Sequence, residues 1–545
     1  MGILLHIITM NREFDVIIIG GGATGAGVAR DCALRGIKAL LIERHDIATG
    51  ATGRNHGLLH SGARYAVNDR ESAEECIREN MILRRIASHC VEDTGGIFIS
   101  LPEDGLDFQK KFIESCLAAG ISAEAIDPKE ALLLEPSVNP MLIGAVKVPD
   151  GSVDPFRLTA ANIMDARLHG AQVLTYTRVD ELIIESGKVV GVKVTDTISG
   201  EKGEYRAAIT VNACGIWGRD LAAKAGVTIN MLPAKGALLV FGHRVNNVVI
   251  NRCRKPADAD ILVPGDNITV IGTTSSKVPF DQCDDMYVTR EEVDLLLREG
   301  SMLAPALNHT RILRAYAGVR PLVASDDDPS GRSVSRGIVV LDHATRDGVE
   351  GFVTITGGKL MTYRLMAEWT VDLICKKLNI DKKCTTAEAL LPGSTSTSGD
   401  CKRTAISSYG AKGSAFYRHG NKVDNIDSST AAKRALVCEC EQVSVGEVEY
   451  AVNELKVNNL VDLRRRTRVG MGTCQGSLCS CRAAAVMAST AKMCSERAKA
   501  DLKSFIAERW KGMSAVAWGD TLREGEMLSW LYDGVCNLSN KNQQE

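Results

Sequence analysis

The chain has 545 residues, of which 45% are hydrophobic and 24% are charged, and its formal net charge is −2. This length exceeds what one hydrophobic core usually organises, so two or three domains are expected. The balanced charge argues against a nucleic-acid-binding protein, and the sequence lacks an apolar run of the eighteen or more residues that a membrane-spanning helix needs.

The N-terminal segment, residues 1–9, is too short for a secretory signal and lacks its positive start. The protein is therefore expected to be cytoplasmic. A second methionine, Met10, precedes the polar run Asn11-Arg12-Glu13, so translation has two candidate starts, Met1 and Met10.

Residues 14–43 have the pattern of one βαβ unit. Residues 14–19 form a short apolar run, as expected of a strand that is buried on both faces. Glycines follow, then a helical stretch to Leu34 and a second apolar strand at residues 39–42.

The glycines of this turn have the G-x-G-x-x-G spacing of a dinucleotide site. Gly20 permits the tight turn, Gly22 lets the backbone approach a pyrophosphate, and Gly25 allows the helix to contact the strand. The helix N-terminus offers N–H donors and positive potential to the phosphates. Glu43, at the end of the second strand, is placed to accept ribose hydroxyls. The spacing alone does not distinguish NAD from FAD.

The rest of the chain alternates between loops and strands. Residues 45–67 are rich in Gly, Ser, Thr, His and Asn, which predicts a functional loop. Five prolines between residues 92 and 149 indicate an inserted segment with short strands, and further strands are expected across residues 236–275. Residues 351–378 return to strand, glycines and helix. The Ser/Thr/Gly run at residues 393–399 is typical of a flexible linker.

Five of the 17 cysteines lie within 44 residues near the C-terminus: Cys438, Cys440, Cys474, Cys479 and Cys481. In a chain without a secretion signal, this clustering indicates metal or redox chemistry and not a disulfide framework. The spacing C-x-C-x33-C-x4-C differs from the paired C-x2-C of zinc ribbons. Zinc remains an alternative to an iron–sulfur cluster, and Cys481 is an alternative ligand to Cys479.

Two features between the cysteine pairs support a compact module. Ser444 and Glu447 have the spacing of a capping box ahead of a helix. A run of arginines then precedes the second pair, where positive charge could offset an anionic cluster. The run comprises Arg464, Arg465, Arg466 and Arg468.

Several segments together resemble the FAD-dependent glycerol-3-phosphate dehydrogenase family. The matching segments are residues 19–31, 60–65, 213–217, 317–322 and 357–364. Cys214 and Ile216 depart from the residues usual near the FAD adenosine. The resemblance runs in order from about residue 14 to 395. With the cysteine module included, the whole chain is similar to the large (A) subunits of the bacterial anaerobic branch of this family.

The resemblance implies an α/β fold with a Rossmann-like FAD-binding domain of the D-amino-acid-oxidase type and an antiparallel-sheet substrate domain. It also implies a small helical C-terminal domain that resembles bacterioferritin-associated ferredoxin and holds a [2Fe–2S] cluster. The expected division is FAD-binding residues 12–90, 150–230 and 335–392, substrate-binding residues 91–149 and 231–334, a linker at 393–435, the [2Fe–2S] domain at 436–490 and a helical tail at 491–545.

The same resemblance nominates site residues. Those expected at the FAD are Gly20, Gly22, Gly25, Glu43, Ala213, Gly215, Gly357, Gly358 and Thr362. Arg64 and Arg320 are expected in the substrate pocket with Tyr65, and Arg336 is expected to bind the substrate phosphate, since a guanidinium pairs bidentately with phosphate. Lys359 is expected beside the reacting oxygen, where its charge stabilises a developing alkoxide.

The general base and the cluster ligands complete the implied site. His60, in the polar loop, and His243, near a strand expected to cover the flavin, are the two candidate bases, and His60 is preferred. The resemblance favours Cys438, Cys440, Cys474 and Cys479 as the four cluster ligands.

The implied function is FAD-dependent oxidation of sn-glycerol 3-phosphate to dihydroxyacetone phosphate in anaerobic glycerol catabolism. Electrons are expected to leave through the cluster to a second flavoprotein subunit, then to a membrane-anchoring iron–sulfur subunit, which reduces a membrane quinone. The chain is then expected to be a peripheral protein on the cytoplasmic face of the inner membrane. Whether it binds FMN in addition to FAD is left open. The alternatives are a 2-hydroxyacid or amino-acid dehydrogenase with a similar tail and a non-catalytic electron carrier.

Overall fold

The computed structural model describes residues 12–323, 337–394, 415, 418–419, 426 and 430–538. Arg336, most of the expected linker and both candidate start methionines lie outside the described residues. Residues 12–323 and 337–394 are called the main body here, and residues 430–538 the C-terminal domain. None of the described helices combines the length and the apolar character that a bilayer-spanning helix requires.

The main body begins with the predicted βαβ unit, formed by β1 (Glu13–Ile19), α1 (Ala23–Leu34) and β2 (Ala39–Ile42). The elements that follow to the end of the inserted segment are β3 (Leu58–Leu59), α2 (Arg70–Ile86), β4 (Val91–Glu92), β5 (Gly96–Ser100), α3 (Asp107–Ala118), β6 (Glu124–Ile126), α4 (Pro128–Leu134), β7 (Gly144–Val148) and β8 (Gly151–Val153).

The middle of the chain is rich in strands. Its elements are α5 (Pro155–Leu168), β9 (Gln172–Leu174), β10 (Thr177–Glu185), β11 (Lys188–Asp196), β12 (Lys202–Asn212), α6 (Gly218–Lys224), β13 (Met231–Phe241), β14 (Val249–Arg252), β15 (Ile261–Pro264), β16 (Thr269–Gly272), β17 (Ser276–Lys277), α7 (Arg290–Leu303) and β18 (Ile312–Val323). The main body ends with β19 (Ile338–Asp342), α8 (His343–Asp347), β20 (Phe352–Gly357) and α9 (Tyr363–Leu378).

The first sheet has a parallel centre, in which β9, β2, β1, β12 and β20 lie side by side. Its central strands are apolar on both faces, because α1, α5 and α9 cover one face and the β10–β12 ribbon with α6 covers the other. The carboxyl ends of β1, β2 and β12 meet at one edge of this sheet. That edge is where ligands bind in open α/β sheets.

The second sheet is mostly antiparallel and runs in the order β17-β13-β16-β15-β14-β5-β7-β6, with β18 on the other side of β13. Its apolar face packs against α7 and α4. The pairing of β13 with β18 is the longest in the molecule's described part, from Met231 opposite Val323 to Phe241 opposite Ile312. This ladder carries Arg320 toward the first sheet.

The C-terminal domain is mainly helical. Two short strands, β21 (Leu436–Cys438) and β22 (Val443–Ser444), form its only described sheet. Its helices are Ala431–Arg434, Val445–Asn453, Leu460–Thr467, Ser480–Ala491, Ser495–Ser514 and Gly519–Ser529. Half of the predicted capping box is present, since the Ser444 hydroxyl accepts the Glu447 N–H at 3.2 Å, whereas the Glu447 carboxylate accepts from Arg418 at 2.6 Å.

The C-terminal domain is bound to the main body through buried polar contacts. The Arg466 guanidinium donates to Asp46, with one N–H···O distance of 2.9 Å, and both side chains are 4% exposed. The Tyr176 hydroxyl donates to Asp462 at 2.6 Å. Removing one partner of such a buried pair typically costs about 3–5 kcal/mol, because the other charge is left uncompensated. The two parts are therefore expected to unfold together.

Alanine at Gly25 tests the helix–strand contact on which the βαβ unit depends. A Cβ atom there would lie 1.9 Å from the Gly20 carbonyl oxygen, so the helix must move away from the strand. Gly25→Ala is expected to lower the free energy of unfolding by about 1–3 kcal/mol. The matched control is Gly203→Ala, whose Cβ would meet only the side chains of Val194, at 3.5 Å, and Tyr205, at 3.9 Å. Equal denaturation midpoints for the two variants would contradict the predicted contact.

Asp462 predicts a pH dependence of stability. Burial, with the nearby Asp46 carboxylate, raises the pKa of Asp462 to about 7, well above the ordinary carboxyl value of about 4. Between these values the folded chain holds a proton that the unfolded chain releases. Stability from this group is therefore greatest at low pH, falls by up to about 1.4 kcal/mol per pH unit through that window, and is level above it.

Asp462→Asn is expected to remove this decline, so its unfolding midpoint should fall less than that of the wild type between about pH 5 and 7. Thermal unfolding at several pH values measures the difference. The control is Asp520→Asn, since the Asp520 side chain is exposed. Parallel curves for the wild type and Asp462→Asn would show that Asp462 does not titrate in this range.

Candidate active site and cysteine cluster

A cavity of about 1310 Å³ lies between the two sheets of the main body. It is larger than typical small-molecule pockets of about 300–1,000 Å³, as a site for a dinucleotide and a substrate requires. The predicted residues that line it are Gly20, Gly22, Glu43, His60, Arg64, Tyr65, Ala213, Gly215, Arg320, Gly357, Gly358 and Lys359. This cavity is called the main cavity below.

The glycine-rich turn closes one end of the main cavity. Gly20 has φ +116°, and a Cβ there would lie 2.4 Å from the Ala213 carbonyl oxygen, so only glycine fits. Gly25 lies behind the turn and does not line the cavity, which agrees with its predicted part in helix–strand packing. Glu43 accepts the Gly21 N–H at 2.7 Å and the His45 N–H at 2.9 Å. Burial raises the pKa of Glu43, which these hydrogen bonds oppose.

A second glycine turn lies across the cavity. Gly357 and Gly358 have φ values of +75° and +64°, and Cβ atoms there would clash with the Gly337 carbonyl oxygen and with Met366. Thr362 does not line the cavity, and its side chain is buried. Its hydroxyl accepts the Lys359 N–H at 2.9 Å and so holds the turn that presents Lys359.

Three predicted cations reach the main cavity from separate elements. Arg320, near the end of β18, donates to the carbonyl oxygen of Thr274 at 3.1 Å and to the hydroxyl of Thr273. Arg64 donates to the carbonyl oxygen of Ala257 at 2.8 Å and lies 3.3 Å from the Asp260 carboxylate. The third cation, Lys359, follows the second glycine turn.

Lys359 lies beside an aromatic ring at this end of the cavity. Its Nζ atom is 4.6 Å from the centre of the Tyr65 ring, at cation–π distance. The Tyr65 ring is in turn 5.5 Å from the ring of His60, which is 7% exposed. Tyr65, His60 and Lys359 therefore form one wall of the cavity.

The structure separates the two candidate bases. His60 lines the main cavity, whereas His243 is exposed just beyond β13 and is not among the lining residues. A third histidine, His56, also lines the cavity and lies 5.9 Å from His60. Burial, together with the charges of Arg320 and Arg64, lowers the pKa of His56 to about 3, so its ring is neutral. Its Nδ1 atom accepts the Leu58 N–H at 3.2 Å, which leaves the proton on Nε2.

Sequence reasoning missed His56 and Asp258. Asp258 lines the same cavity, and burial raises the pKa of its carboxyl while Arg320 and Arg64 lower it. His56 lies in the loop whose polar composition marked it as functional, and that composition was the available signal. Nothing in the local sequence around Asp258 connects it with two arginines that are distant along the chain.

The four predicted cluster cysteines lie together in the C-terminal domain. The Cys479 thiol contacts the thiols of Cys438 and Cys474, and Cys474 contacts Cys440. Hydrogen bonding from Cys479 lowers the pKa of both Cys438 and Cys474, which favours the thiolates that metals bind. Cys440 is further held through its carbonyl oxygen, which accepts a hydrogen bond from Asn267 of the main body at 3.3 Å.

Over the described residues, no three or more His, Cys, Asp or Glu side chains form a group suited to a single metal ion. A [2Fe–2S] cluster differs, because four cysteine thiolates hold two irons. The pairwise contacts among four thiols, with no histidine or carboxylate in the set, fit that donor chemistry. They are the observation on which the cluster assignment depends.

Cys481 faces a different partner. Its Sγ atom lies 3.9 Å from Sγ of Cys536.

The arginine run was predicted to offset the charge of the cluster, but two of its members bind carboxylates instead. Arg466 binds Asp46, and Arg468 binds Glu441 at 2.8 Å and Asp266 at 2.9 Å. These two arginines hold the domains together.

Two known families match the chain. The FAD dependent oxidoreductase family matches residues 15–364, and the BFD-like [2Fe-2S] binding domain matches residues 436–489. The A subunit of the anaerobic glycerol-3-phosphate dehydrogenase of Haemophilus influenzae is 64% identical over 526 residues, which are 96% of this chain and 93% of that protein. The chain belongs to this family of A subunits.

The corresponding protein from Escherichia coli K12 is 62% identical over 529 residues, covering 97% of this chain and 98% of that protein. Among solved structures, the glycerol-3-phosphate dehydrogenase of Bacillus halodurans, complexed with FAD, has a TM-score of 0.72 at 24% identity. The match covers 92% of this chain and 95% of that one. At that identity the likeness shows the fold alone.

These comparisons confirm several predictions. The chain is an FAD-dependent oxidoreductase of the α/β type, with an antiparallel second sheet and a helical C-terminal domain. It carries an FAD-binding domain and a BFD-like [2Fe–2S] domain. As a member of a family of A subunits, it is one component of a multi-subunit enzyme.

Serine substitutions distinguish Cys479 from Cys481. Cys479→Ser is expected to reduce bound iron and acid-labile sulfide to less than about half of the wild-type content, because one of four ligands is lost. Cys481→Ser, only two residues away, is expected to keep both, because its described thiol contact is Cys536. Iron analysis and visible absorption measure the outcome. A cluster that survives in Cys479→Ser and is lost in Cys481→Ser would reverse the ligand assignment.

Proposed function

We propose that the chain oxidises sn-glycerol 3-phosphate to dihydroxyacetone phosphate at an FAD in the main cavity, and that electrons leave through a [2Fe–2S] cluster in the C-terminal domain. One observation carries the proposal. A cavity of dinucleotide size contains both the glycine turn and three cations from separate elements, in a chain 64% identical to an A subunit of that dehydrogenase.

The residues present fit FAD at one end of the cavity. Gly20 and Gly22 remove side chains where a pyrophosphate approaches the start of α1, and the helix supplies N–H donors there. Glu43 has carboxylate oxygens at the end of β2 for the ribose hydroxyls. Ala213 and Gly215 line the same end from the loop after β12. When bound, FAD supplies the hydride acceptor that the amino-acid side chains lack.

The opposite end of the cavity suits a small phosphorylated alcohol. Arg320 and Arg64 are fixed by hydrogen bonds to carbonyl oxygens, so their forks are oriented before a substrate binds. Lys359 lies against Tyr65, where its charge stabilises an alkoxide at the substrate's C2 oxygen. Arg336, outside the described residues, remains the proposed additional phosphate ligand.

His60 is the proposed general base. It is buried beside Tyr65 in the wall that carries Lys359, so a proton from a substrate hydroxyl has a short path to it. His56 is a poor base, since its pKa is about 3 and its Nδ1 atom is already an acceptor. Its Nε2–H is instead a donor that helps to position the substrate.

Electron transfer out of the cavity uses the domain interface. The loop residues Arg54, Asn55 and His56 line both the main cavity and a smaller cavity against the C-terminal domain. Met471 and Gln475, the latter beside Cys474 in the chain, line the same smaller cavity. The loop at residues 54–56 and this smaller cavity therefore lie between the FAD site and the segment that carries Cys474.

The remaining steps concern other subunits. We propose that the acceptors beyond the cluster are a second flavoprotein subunit, then a membrane-anchoring iron–sulfur subunit that reduces quinone, at the cytoplasmic face of the inner membrane. Support comes from the family of A subunits, whose name implies partners. The exposed tail residues Trp510, Trp518 and Trp530 offer apolar surface on the C-terminal domain for such a partner.

Anaerobic mixing with sn-glycerol 3-phosphate tests the proposed reaction. The wild-type chain is expected to lose its oxidised-flavin absorbance, whereas glycine and a 2-hydroxyacid should leave that absorbance unchanged. Lys359→Met is expected to slow the loss about 10²–10³-fold, because the alkoxide loses its stabilising charge, while FAD stays bound. Lys202→Met, at an exposed position on β12, is the control. A wild-type rate in Lys359→Met would exclude Lys359 from the reaction.

A further inference from the structure

A second cavity, of about 230 Å³, lies between the main body and the C-terminal domain and is called the interdomain cavity here. Its wall comes from three parts of the molecule. The loop after β2 contributes Arg54, β18 contributes Arg314, and the C-terminal domain contributes Arg464. None of these three arginines is proposed to bind FAD or substrate, although Arg54 also lines the main cavity.

The charges around the interdomain cavity are unbalanced. Among the described lining residues, seven are cationic and four are carboxylates. The cations are Arg54, Arg157, Arg314, Arg464, Arg465, Arg468 and Lys511, and the carboxylates are Glu92, Asp154, Asp266 and Glu508.

Most of these groups are already paired. Arg157 and Arg468 share Asp154 and Asp266. The pairs Arg465–Asp462, Lys511–Asp285 and Arg244–Glu92 account for three more lining groups. After these pairs are set aside, one carboxylate of the cavity wall, Glu508, remains for three arginines: Arg54, Arg314 and Arg464.

Glu508 does not neutralise these three arginines. Its carboxylate is 3.8 Å from Arg314, and its side chain is 42% exposed. The guanidinium groups of Arg54 and Arg464 form no hydrogen bond or ion pair with a described residue. Arg314 is 8% exposed, and its Nε–H has no hydrogen-bond partner among the described residues. Arg54 and Arg464 are half-buried. A buried cation whose counter-ion is distant and half-exposed is costly, so the folded chain gains from an anion beside Arg314.

The mutual effect of these arginines agrees with the geometry. Burial lowers the pKa of Arg464, and the charge of Arg314 lowers it further. Burial also lowers the pKa of Arg54 and of Arg314. Each group is destabilised in its charged form by its surroundings, which an anion between them would reverse.

We propose that the interdomain cavity is a binding site for a small phosphate-class dianion, held by Arg54, Arg314 and Arg464. Guanidinium forks match the oxygens of a phosphate group and pair with it bidentately. The volume of 230 Å³ is below the range of about 300–1,000 Å³ for drug-sized ligands, so it suits inorganic phosphate or a small phosphate ester better than a nucleotide.

The position of the site gives the anion a structural effect. Its three arginines belong to the flavin-side loop, the second sheet and the C-terminal domain, so one bound dianion connects all three. Since the anion binds the docked form of the chain, it stabilises the docking of the cysteine module against the main body. The same cavity lies between the main cavity and the Cys474 segment, so the anion also occupies the space between the two redox sites.

Phosphate-dependent unfolding of the full-length holoprotein tests the site. Inorganic phosphate at saturating concentration is expected to raise the unfolding midpoint by about 3 °C or more over potassium chloride of equal ionic strength. Arg464→Gln and Arg54→Gln are each expected to lose most of this rise. They change different domains, so a folding failure of one variant leaves the other informative. Arg523→Gln is the matched control, because its side chain is 78% exposed and pairs only with Asp520 among the described residues.

Two further measurements identify the cavity in which phosphate binds and the kind of phosphate compound that binds there. The proposed substrate site in the main cavity also takes phosphate, so Arg320→Gln is expected to keep the part of the rise that Arg464→Gln loses. A full rise in Arg464→Gln that Arg320→Gln abolishes would assign the anion to the substrate pocket and overturn the proposal. Glycerol 2-phosphate is expected to raise the midpoint as inorganic phosphate does, and the larger of the two rises shows whether the ester or the free anion binds more tightly. A rise equal to that with chloride, or a full rise in both Arg464→Gln and Arg54→Gln, would also overturn it.

Discussion

Arg466 extends from the C-terminal domain into the main body, where its guanidinium binds the buried Asp46 carboxylate. Asp46 lies three positions after Glu43, in the loop that leaves the end of β2. The contact that attaches the cysteine module therefore begins at the edge of the FAD site. Both side chains are excluded from water in the docked form, so loss of either partner would leave the other charge buried and uncompensated. The relative position of the two redox sites depends on this pair.

Close backbone packing provides the corresponding constraint within the main body. Gly20 and Gly25 bring α1 against β1 and the loop after β12, and this places the helix N-terminus at the cavity. On the other side, the β13–β18 ladder carries Arg320 to the opposite end. The end of the main cavity proposed for FAD, which is rich in backbone N–H donors, then faces the cationic end proposed for the substrate.

The sequence predicted what depends on local patterns. The βαβ unit follows from one apolar strand and its glycines, and the four cysteines that the family resemblance predicts as cluster ligands lie together. Partnerships between distant segments were not predictable. The charge of Arg64 acts on Asp258 only after the second sheet forms, and the charge of Arg314 acts on Arg464 only when the domains dock. Thr362 was expected at the FAD from the family resemblance, which does not reveal the local hydrogen bond from the Lys359 N–H to its hydroxyl.

Both redox sites lie in one docked unit, so electrons are expected to pass between them within a single chain. The most direct measurement is anaerobic rapid mixing of the isolated holoprotein with sn-glycerol 3-phosphate, followed by flavin absorbance and the paramagnetic signal of the reduced cluster. The account predicts that the cluster signal follows flavin reduction at a rate independent of protein concentration. A rate that increases with protein concentration, or a cluster that stays oxidised beside a reduced flavin, would contradict it.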